Sequence, residues 1–485
     1  MSLYSDKLQS FISAARISVA QLSRTSGVER SYIQKMLSSE RIPGDVTVLD
    51  RLSDALMLTP TEKKQLREAY YISKMGEEVY YRRIQVKRIV EDADSYFQEP
   101  DFFAAPQTSL SHMESHSNLP VQIIQGKASV IDWLHFFLSR EASGPEAQLM
   151  AVLQPDCEAG NVFRSYCRLN RQLQVEHIVA FQTETRYQTE NRYNLSCMRE
   201  LLPILLSCCR YAGWFYYISS PSCQSSVLPF FIVGKRWVMT FSHDNEKAVL
   251  FRENDAVLLY QRIFREMQED CFPLFETENL YPVQFWDHQR WRPTHQEMCY
   301  SLQFEPCLGF FYSMDMVEKL LRQDVPNRQQ ILSFFEGRRE QITLMTGTRQ
   351  STSFFAEEGL DRILQTGRIQ ELPSELYSPL PKAYRVELLR RMIFCIHKGW
   401  YFPHLIKPQK FRCPHNLMFF VSDNQHLSCG CLHPVYGSIS VTLHEKSIVY
   451  SICDFLEFLQ ETALIDSVEE TEAILTQKLK ELTES

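Results

Sequence analysis

Four side chains that lie close together in the sequence, Arg30, Ser31, Gln34 and Lys35, have the chemistry of recognition rather than of bond breaking. A guanidinium fork meets two acceptors at once, an amide offers a donor beside an acceptor, and a hydroxyl or an ammonium reaches single acceptors. At helical spacing the four share one face. Arg41, in the polar loop that follows, adds a cation of the kind that meets phosphate. A second set, Cys413, His415, His426, Cys429, Cys431 and His433, holds the thiols and imidazoles that zinc takes in a tetrahedral site. Its spacing is not that of a metal knuckle. Cys429 and Cys431 alternate as on a strand and read as small apolar core side chains, so no metal is expected. A third stretch, His444-Glu445-Lys446, begins a two-histidine phosphoryl-transfer motif, but Ser451 stands where an aspartate belongs. The matching place in an earlier repeat is Arg252-Glu253-Asn254, which leaves no second histidine to protonate a leaving group. With no Gly-rich phosphate loop, nucleophile elbow or zinc-protease helix either, the chain reads as a non-enzyme with no cofactor.

The elements that must position the first set are short helices. Leu3, Leu8, Phe11 and Ile12 mark a helix over 3–15. Val19 and Leu22 face inward on a second, Gly27 supplies a turn that favours a residue without Cβ, and Val28, Ile33 and Met36 face inward on a third. Val46, Leu49, Leu52 and Leu56 mark a fourth, and a fifth starts at Thr61 with acidic Glu62 in its first turn. Five short helices with a helix-turn-helix at 18–37 resemble the Cro/cI-type repressor family over residues 1–70. The resemblance implies that the third helix enters the DNA major groove, that Arg30, Ser31 and Lys35 stand at base-reading positions, with Gln34 on the same outward face, and that Arg41 contacts phosphate. It also implies a dimer on a double-stranded operator. Two positions depart from the family: Val19 stands where a backbone-bracing Gln is usual, and Leu37 where an acidic residue is common.

The whole chain sets the scale. Its 485 residues, 44% apolar and 23% charged, suit a globular protein of several domains. The net charge is -8, yet residues 1–75 hold 11 Lys and Arg against 8 Asp and Glu, so a basic head sits on an acidic body. The 14 cysteines lack a disulfide framework and suit reduced thiols. Asp6 and Lys7 interrupt any apolar start and no run spans a bilayer, so the expected location is cytoplasmic, with no membrane partner.

From Thr61 the helical pattern runs on to Tyr96, an apolar stripe that either dimerises as a short coiled coil or docks on the next domain. Residues 98–120 read as a linker. Beyond them the chain repeats. Residues 132–153 parallel 331–345, and 163–174 parallel 355–366. More clearly, 199–218 parallel 386–405 through Glu-Leu-Leu and Gly-Trp at Gly213-Trp214 and Gly399-Trp400, and 248–268 parallel 440–460. Strands LMAVL, VEHIVAF, GWFYYI, LPFFIVG, RWVMTF and AVLF are expected in the first copy. The expected fold is α+β multidomain: an N-terminal five-helix helix-turn-helix domain (1–75), a helical connector and linker (76–120), and two tandem α/β repeat lobes. These lobes are expected at 121–280 and 321–485, with an aromatic inter-lobe segment at 281–320 and packing about a pseudo-two-fold axis. Over 145–270 the pattern distantly resembles the catalytically silent phospholipase D-like sensor domains of TrmB-type sugar regulators. The aromatic Trp214–Tyr217 strand reads as core or as pocket lining, and Arg186, Arg192 and Tyr193 as an anion gate or a solvated loop. The expected function is a DNA-binding transcriptional regulator that responds to a small-molecule or protein effector. The alternative is a protein-interaction adaptor with a vestigial helix-turn-helix.

Overall fold

The computed structural model describes the chain except residues 1, 98–118, 145, 171, 184–190, 207–209, 219–227, 280–297, 327, 343–346, 348–349, 371–373, 423–425, 434–436 and 485. Two compact units emerge, one of residues 1–85 with 185–192 and one of 86–184 with 193–485. The linker expected at 98–120 falls almost wholly outside the described residues, as does Arg186.

In the first unit, α1 (Leu3–Ala15), α2 (Val19–Ser26), α3 (Arg30–Leu37), α4 (Val46–Ala55) and α5 (Pro60–Met75) close on a core of Tyr4, Leu8, Leu22, Ile33, Met36, Leu52 and Leu66. Local chemistry sets the ends. Ser18 caps α2 by accepting from the Gln21 amide, and Gly27 ends it at φ 66°. A capping box joins Thr59 to Glu62 at the start of α5. The helix expected to run from Thr61 to Tyr96 is broken at Gly76 (φ 89°) into α5 and α6 (Glu77–Glu91), followed by a 3-10 turn at Ala93–Phe97. From Val86 on, its apolar residues Val86, Ile89, Val90, Ala93 and Tyr96 are buried in the core of the second unit. The stripe therefore docks on the body, and those residues are not available to a coiled coil.

The second unit contains two mixed sheets. The first is built from β1 (Val121–Gln125), β2 (Gln148–Val152), β3 (Gln174–Gln182), β4 (Arg210–Ile218), β5 (Phe230–Val233), β6 (Val238–Phe241), β7 (Lys247–Phe251) and β8 (Phe272–Pro273). The second uses β9 (Phe275–Asn279), β10 (Met298–Leu302), β11 (Gln350–Phe355), β12 (Tyr401–Leu405), β13 (Leu417–Ser422), β14 (His426–His433) and β15 (Gly437–Leu443). Their orders, β8-β4-β3-β2-β5-β6-β7-β1 and β12-β11-β10-β13-β14-β15-β9, are the same topology twice apart from the two-residue β8 at the edge of the first. In each, three parallel strands continue into an antiparallel meander, closed by a strand from the start of the repeat. The fold is α+β and multidomain, as the sequence indicates.

Two readings of the repeat need correction. The pairs 199–218 with 386–405 and 248–268 with 440–460 superpose equivalent elements, but the two earlier pairs are out of phase. Residues 163–174 end α8 (Glu158–Leu169) and enter β3, whereas 355–366 leave β11 through α13 (Glu357–Thr366). The stretch 281–320 is more than a joint between lobes, because it supplies β10 at the middle of the second sheet.

On one face of the first sheet pack α7 (Lys127–Glu141), α8 and α9 (Asn191–Leu205), and on the other α10 (Asn254–Glu269). The second sheet has α15 (Lys446–Leu459) on the face that joins the first lobe's core. On its other face lie α11 (Met314–Leu320), α13, α14 (Lys382–His397) and α16 (Val468–Glu484), while α12 (Arg328–Ile342) packs beside α11. The equivalent helices α10 and α15 have unlike surroundings. On α10 only Val257 and Phe264 are buried and Leu258 and Leu259 are about half exposed, whereas α15 is buried along most of its length. Packing about a pseudo-two-fold axis would give both the same neighbours. The strand Phe272–Asn279 passes directly from the β4 edge of one sheet to the β15 edge of the other, so the lobes are joined head to tail.

Within the first sheet His177 is fully buried, its Nε2 2.8 Å from the Leu153 carbonyl and its Nδ1 2.7 Å from the Tyr211 hydroxyl. A carbonyl only accepts, so Nε2 carries the proton and Nδ1 accepts from Tyr211. Burial lowers its pKa to about 4. Protonation therefore opposes folding, and the stability present above the unfolded-state value is lost as pH falls from about 6.5 towards 4. His404 and His135 shift the same way for the same reason. Tryptophan fluorescence isolates this unit, since residues 1–85 contain no tryptophan. Urea titrations should show the unit losing roughly 3 kcal/mol through His177 across that window. His177→Gln should flatten the dependence, and an unchanged pH profile in that variant would refute the assignment.

Candidate nucleic-acid interface

The helix-turn-helix is assembled by backbone-directed side chains. Ser23 Oγ donates to the Val28 carbonyl at 2.7 Å, Ser26 Oγ accepts from the Val28 amide at 3.2 Å, and Val28 itself is buried, so the turn is fixed from both ends. The Tyr4 hydroxyl rests on Met36 Sδ, and Ser5 Oγ donates to the Met36 carbonyl at 2.5 Å, which anchors the C-terminal end of α3 on α1. Ile33 and Met36 face inward, and Arg30, Ser31, Gln34 and Lys35 are all exposed on the opposite face. Arg41 is exposed too. Its amide donates to the Lys35 carbonyl, and Tyr32 holds the same loop by donating to the Ile42 carbonyl and accepting from the Gly44 amide at 3.0 Å. The five expected side chains are thus brought to one end of the domain on a braced helix and a pinned loop.

Val19 and Leu37, the two departures from the Cro/cI pattern, pack against the domain core. They contribute apolar contact where the family pattern has polar groups, and the backbone brace expected of a Gln is missing at Val19.

One residue of the surface is not evident from the motif. Glu29 is exposed at the N-cap of α3, makes no capping hydrogen bond, and accepts from Ser31 Oγ at 2.5 Å. Its carboxylate stands beside the helix N-terminus and occupies the Ser31 hydroxyl. On the DNA-binding reading, Glu29→Ala should therefore tighten binding to duplex DNA by about 1 kcal/mol, by removing a negative charge from the exposed face of α3 and releasing Ser31. Mobility shifts that weaken in this variant would contradict that role.

The other candidates scatter. Cys413 is buried, and burial pushes its thiol far above the ordinary range. His415 is exposed, with Nδ1 3.0 Å from Asp94 and its ring over Phe304. Cys429 is buried on β14 opposite Phe419, a core position. His426, Cys431 and His433 belong to β14, but their side chains lie outside the described ones. Among the described residues no three potential metal ligands converge. Trp214 packs against Phe264 and Phe215 against Phe181, so these two rings serve the core, while Tyr217 is exposed. Arg192 lies 3.5 Å from Glu78 with its guanidinium over Tyr81, and burial raises the Tyr193 hydroxyl well above its usual value.

His444-Glu445-Lys446 opens α15, and Glu445 is its informative member. It is fully buried, accepting from Ser447 Oγ at 2.6 Å, the Ile448 amide at 2.8 Å and the Tyr217 hydroxyl of the first lobe at 2.8 Å. Asn194, also of the first lobe, donates to Ser447 Oγ at 3.1 Å. This is a polar lock between lobes. Ser451 is buried and donates to the Ser447 carbonyl.

No family model and no curated protein matches the chain. Among solved structures, an archaeal chromatin protein, TrmBL2, described as showing a novel mode of DNA binding, is similar at a TM-score of 0.22 and 11% identity, over 53% of this chain and 87% of that one. A phosphatidylserine synthase from Haemophilus influenzae Rd KW20 is similar at a TM-score of 0.23 and 7% identity, over 78% and 97%. Likeness at this level establishes neither fold nor function. Among the described residues no helix is long and apolar enough to cross a membrane.

Proposed function

We propose that the chain is a sequence-specific, double-stranded-DNA-binding transcriptional regulator of the Cro/cI type, with a duplicated body that senses a small-molecule or protein effector. The observation that supports this most is the outward row Arg30, Ser31, Gln34 and Lys35 on a helix whose opposite face is buried, with Arg41 held alongside. Arg30 is the base-reading fork, Ser31, Gln34 and Lys35 stand on the base-facing row with it, and Arg41 is the phosphate contact. A single reading head covers too few base pairs for high specificity, so the chain acts as a homodimer on paired half-sites. Because the stripe from Val86 to Tyr96 is buried in the body, dimerisation relies on other surfaces.

Selection of binding sites from random duplex DNA, followed by mobility shifts at several salt concentrations, tests the proposal. The expected result is a recurrent, paired half-site and an affinity that falls steeply with salt. The pairing of Glu29 with Ser31 favours a second reading, an interaction adaptor whose helix-turn-helix no longer reads DNA. That reading takes over if selection returns no preferred sequence.

A further inference from the structure

The first sheet has a change of character along its parallel strands. In the register where β2, β3 and β4 begin, Gln148, Gln174 and Arg210 stand side by side, followed on the same face by Met150, Glu176 and Ala212, and then by Val152, Ile178 and Trp214. Helix α10 covers the third row with Val257 and Phe264. It leaves the first two rows open to a cleft of about 350 Å³, walled by Gln261 and Arg265 of α10 and by Lys235 of the β5–β6 turn.

Three cations and one carboxylate line this cleft. Arg265 is committed to Glu176 through two hydrogen bonds, at 2.5 and 2.6 Å. Lys235 lies 3.4 Å from an exposed Glu146, an arrangement worth little in water. Arg210 has no partner among the described residues. Gln148 donates to Gln174 at 2.8 Å, which leaves the Gln174 amide as a donor and the Gln148 carbonyl as an acceptor towards the opening. The second sheet has no such arrangement. There Met298 faces Gln350 in the first register, Tyr300, Thr352 and Phe402 follow, and the helix position matching Arg265 is Glu457. The two copies share a topology, so the basic row is an addition to the first and not a requirement of the fold.

We propose that this cleft binds a small organic or inorganic oxyanion carrying at least two negative charges, with Arg210 and Lys235 holding the oxyanion and Gln174 and Gln261 holding its polar remainder. A planar guanidinium on a strand end and a mobile ammonium opposite it suit phosphate and carboxylate oxygens alike, and the volume suits a ligand of metabolite size. As the effector site it rests on the regulator reading above; as an anion site it does not.

Calorimetric titration of the full chain with inorganic pyrophosphate and, separately, with citrate at moderate salt tests the site and separates phosphate from carboxylate chemistry. Saturable binding of either is expected, weakened at least tenfold in Arg210→Gln and in Lys235→Gln and unchanged in Arg322→Gln, whose guanidinium pairs with Asp324 elsewhere on the surface. Circular dichroism melting confirms that the variants fold. No saturable binding of either anion, or undiminished affinity in both cleft variants, would overturn the site. Repeating the DNA mobility shifts with the bound anion present then tests sensing separately. An unchanged operator affinity sinks the effector role while leaving the anion site standing.

Discussion

Alanine at both Arg30 and Arg41 is expected to abolish sequence-specific retention of DNA while leaving the domain folded. Both side chains are exposed and neither contributes to the helical core, so the thermal transition should hardly move. The two losses differ in kind. An Arg bidentate to guanine supplies about 1–3 kcal/mol of discrimination at one base pair, and a cation on phosphate supplies affinity that is blind to sequence. Arg30→Ala alone should therefore relax one operator position at little change in salt dependence. Arg41→Ala alone should weaken all sequences alike and reduce the salt slope by about one. In a dimer each loss counts twice. Titration of labelled operator and of scrambled duplex at three salt concentrations separates the two signatures. Retained specificity in the double variant would remove α3 from the interface.

The second large effect is expected at the lock between the lobes. Glu445→Leu makes the side chain apolar at similar bulk, and leaves the Ile448 amide and the Tyr217 hydroxyl, both of which donate to the carboxyl group, without that acceptor. The unsatisfied buried Ile448 amide costs about 1–3 kcal/mol, and the Tyr217 hydroxyl, on an exposed residue, less, so a loss of about 2–3 kcal/mol is expected for the second unit. Tyr217→Phe removes a single donor from the first-lobe side and should cost about 1 kcal/mol. If the lock couples the lobes, the effects of Glu445→Leu and Tyr217→Phe will fall well short of additive. Urea unfolding followed by tryptophan fluorescence measures all three variants, and strict additivity would show that Tyr217 and Glu445 do not act together.

Local signals carry well from sequence to structure in the first unit. Ser18, Gly27 and the Thr59/Glu62 box mark helix ends because capping is a matter of a few neighbouring residues, and α1 and the six strands expected in the first lobe lie where their periodicities place them, whereas β1 and β8 are additions. The failures are non-local. The break at Gly76 leaves the apolar stripe unbroken, so periodicity alone runs through it. The early repeat pairs slip out of phase because β-α units with similar amphipathic helices can be matched one unit apart, and only pairing across the sheet shows that β10 corresponds to β2. Gln148, Gln174 and Arg210 come from strands separated by many residues and become a row only in register. Glu29 is plainly visible in the sequence, but its hold on Ser31 depends on how α3 begins.

The continuous passage from β8 to β9 also bears on synthesis. All strands of the first sheet come from residues 121–273 and all strands of the second from 275–443, so each sheet is drawn from one uninterrupted stretch of chain. A chain that emerges from its N-terminus can thus complete the first sheet before the second has a middle strand. The finished edge at β4 and β8 then stands ready while β9 waits, from Phe275 on, for β15, its last partner to be made. A product truncated after β10 would expose an unpaired β9 beside a closed first lobe. The same junction that fastens the lobes together is therefore the place where an interrupted chain is most prone to join a second copy.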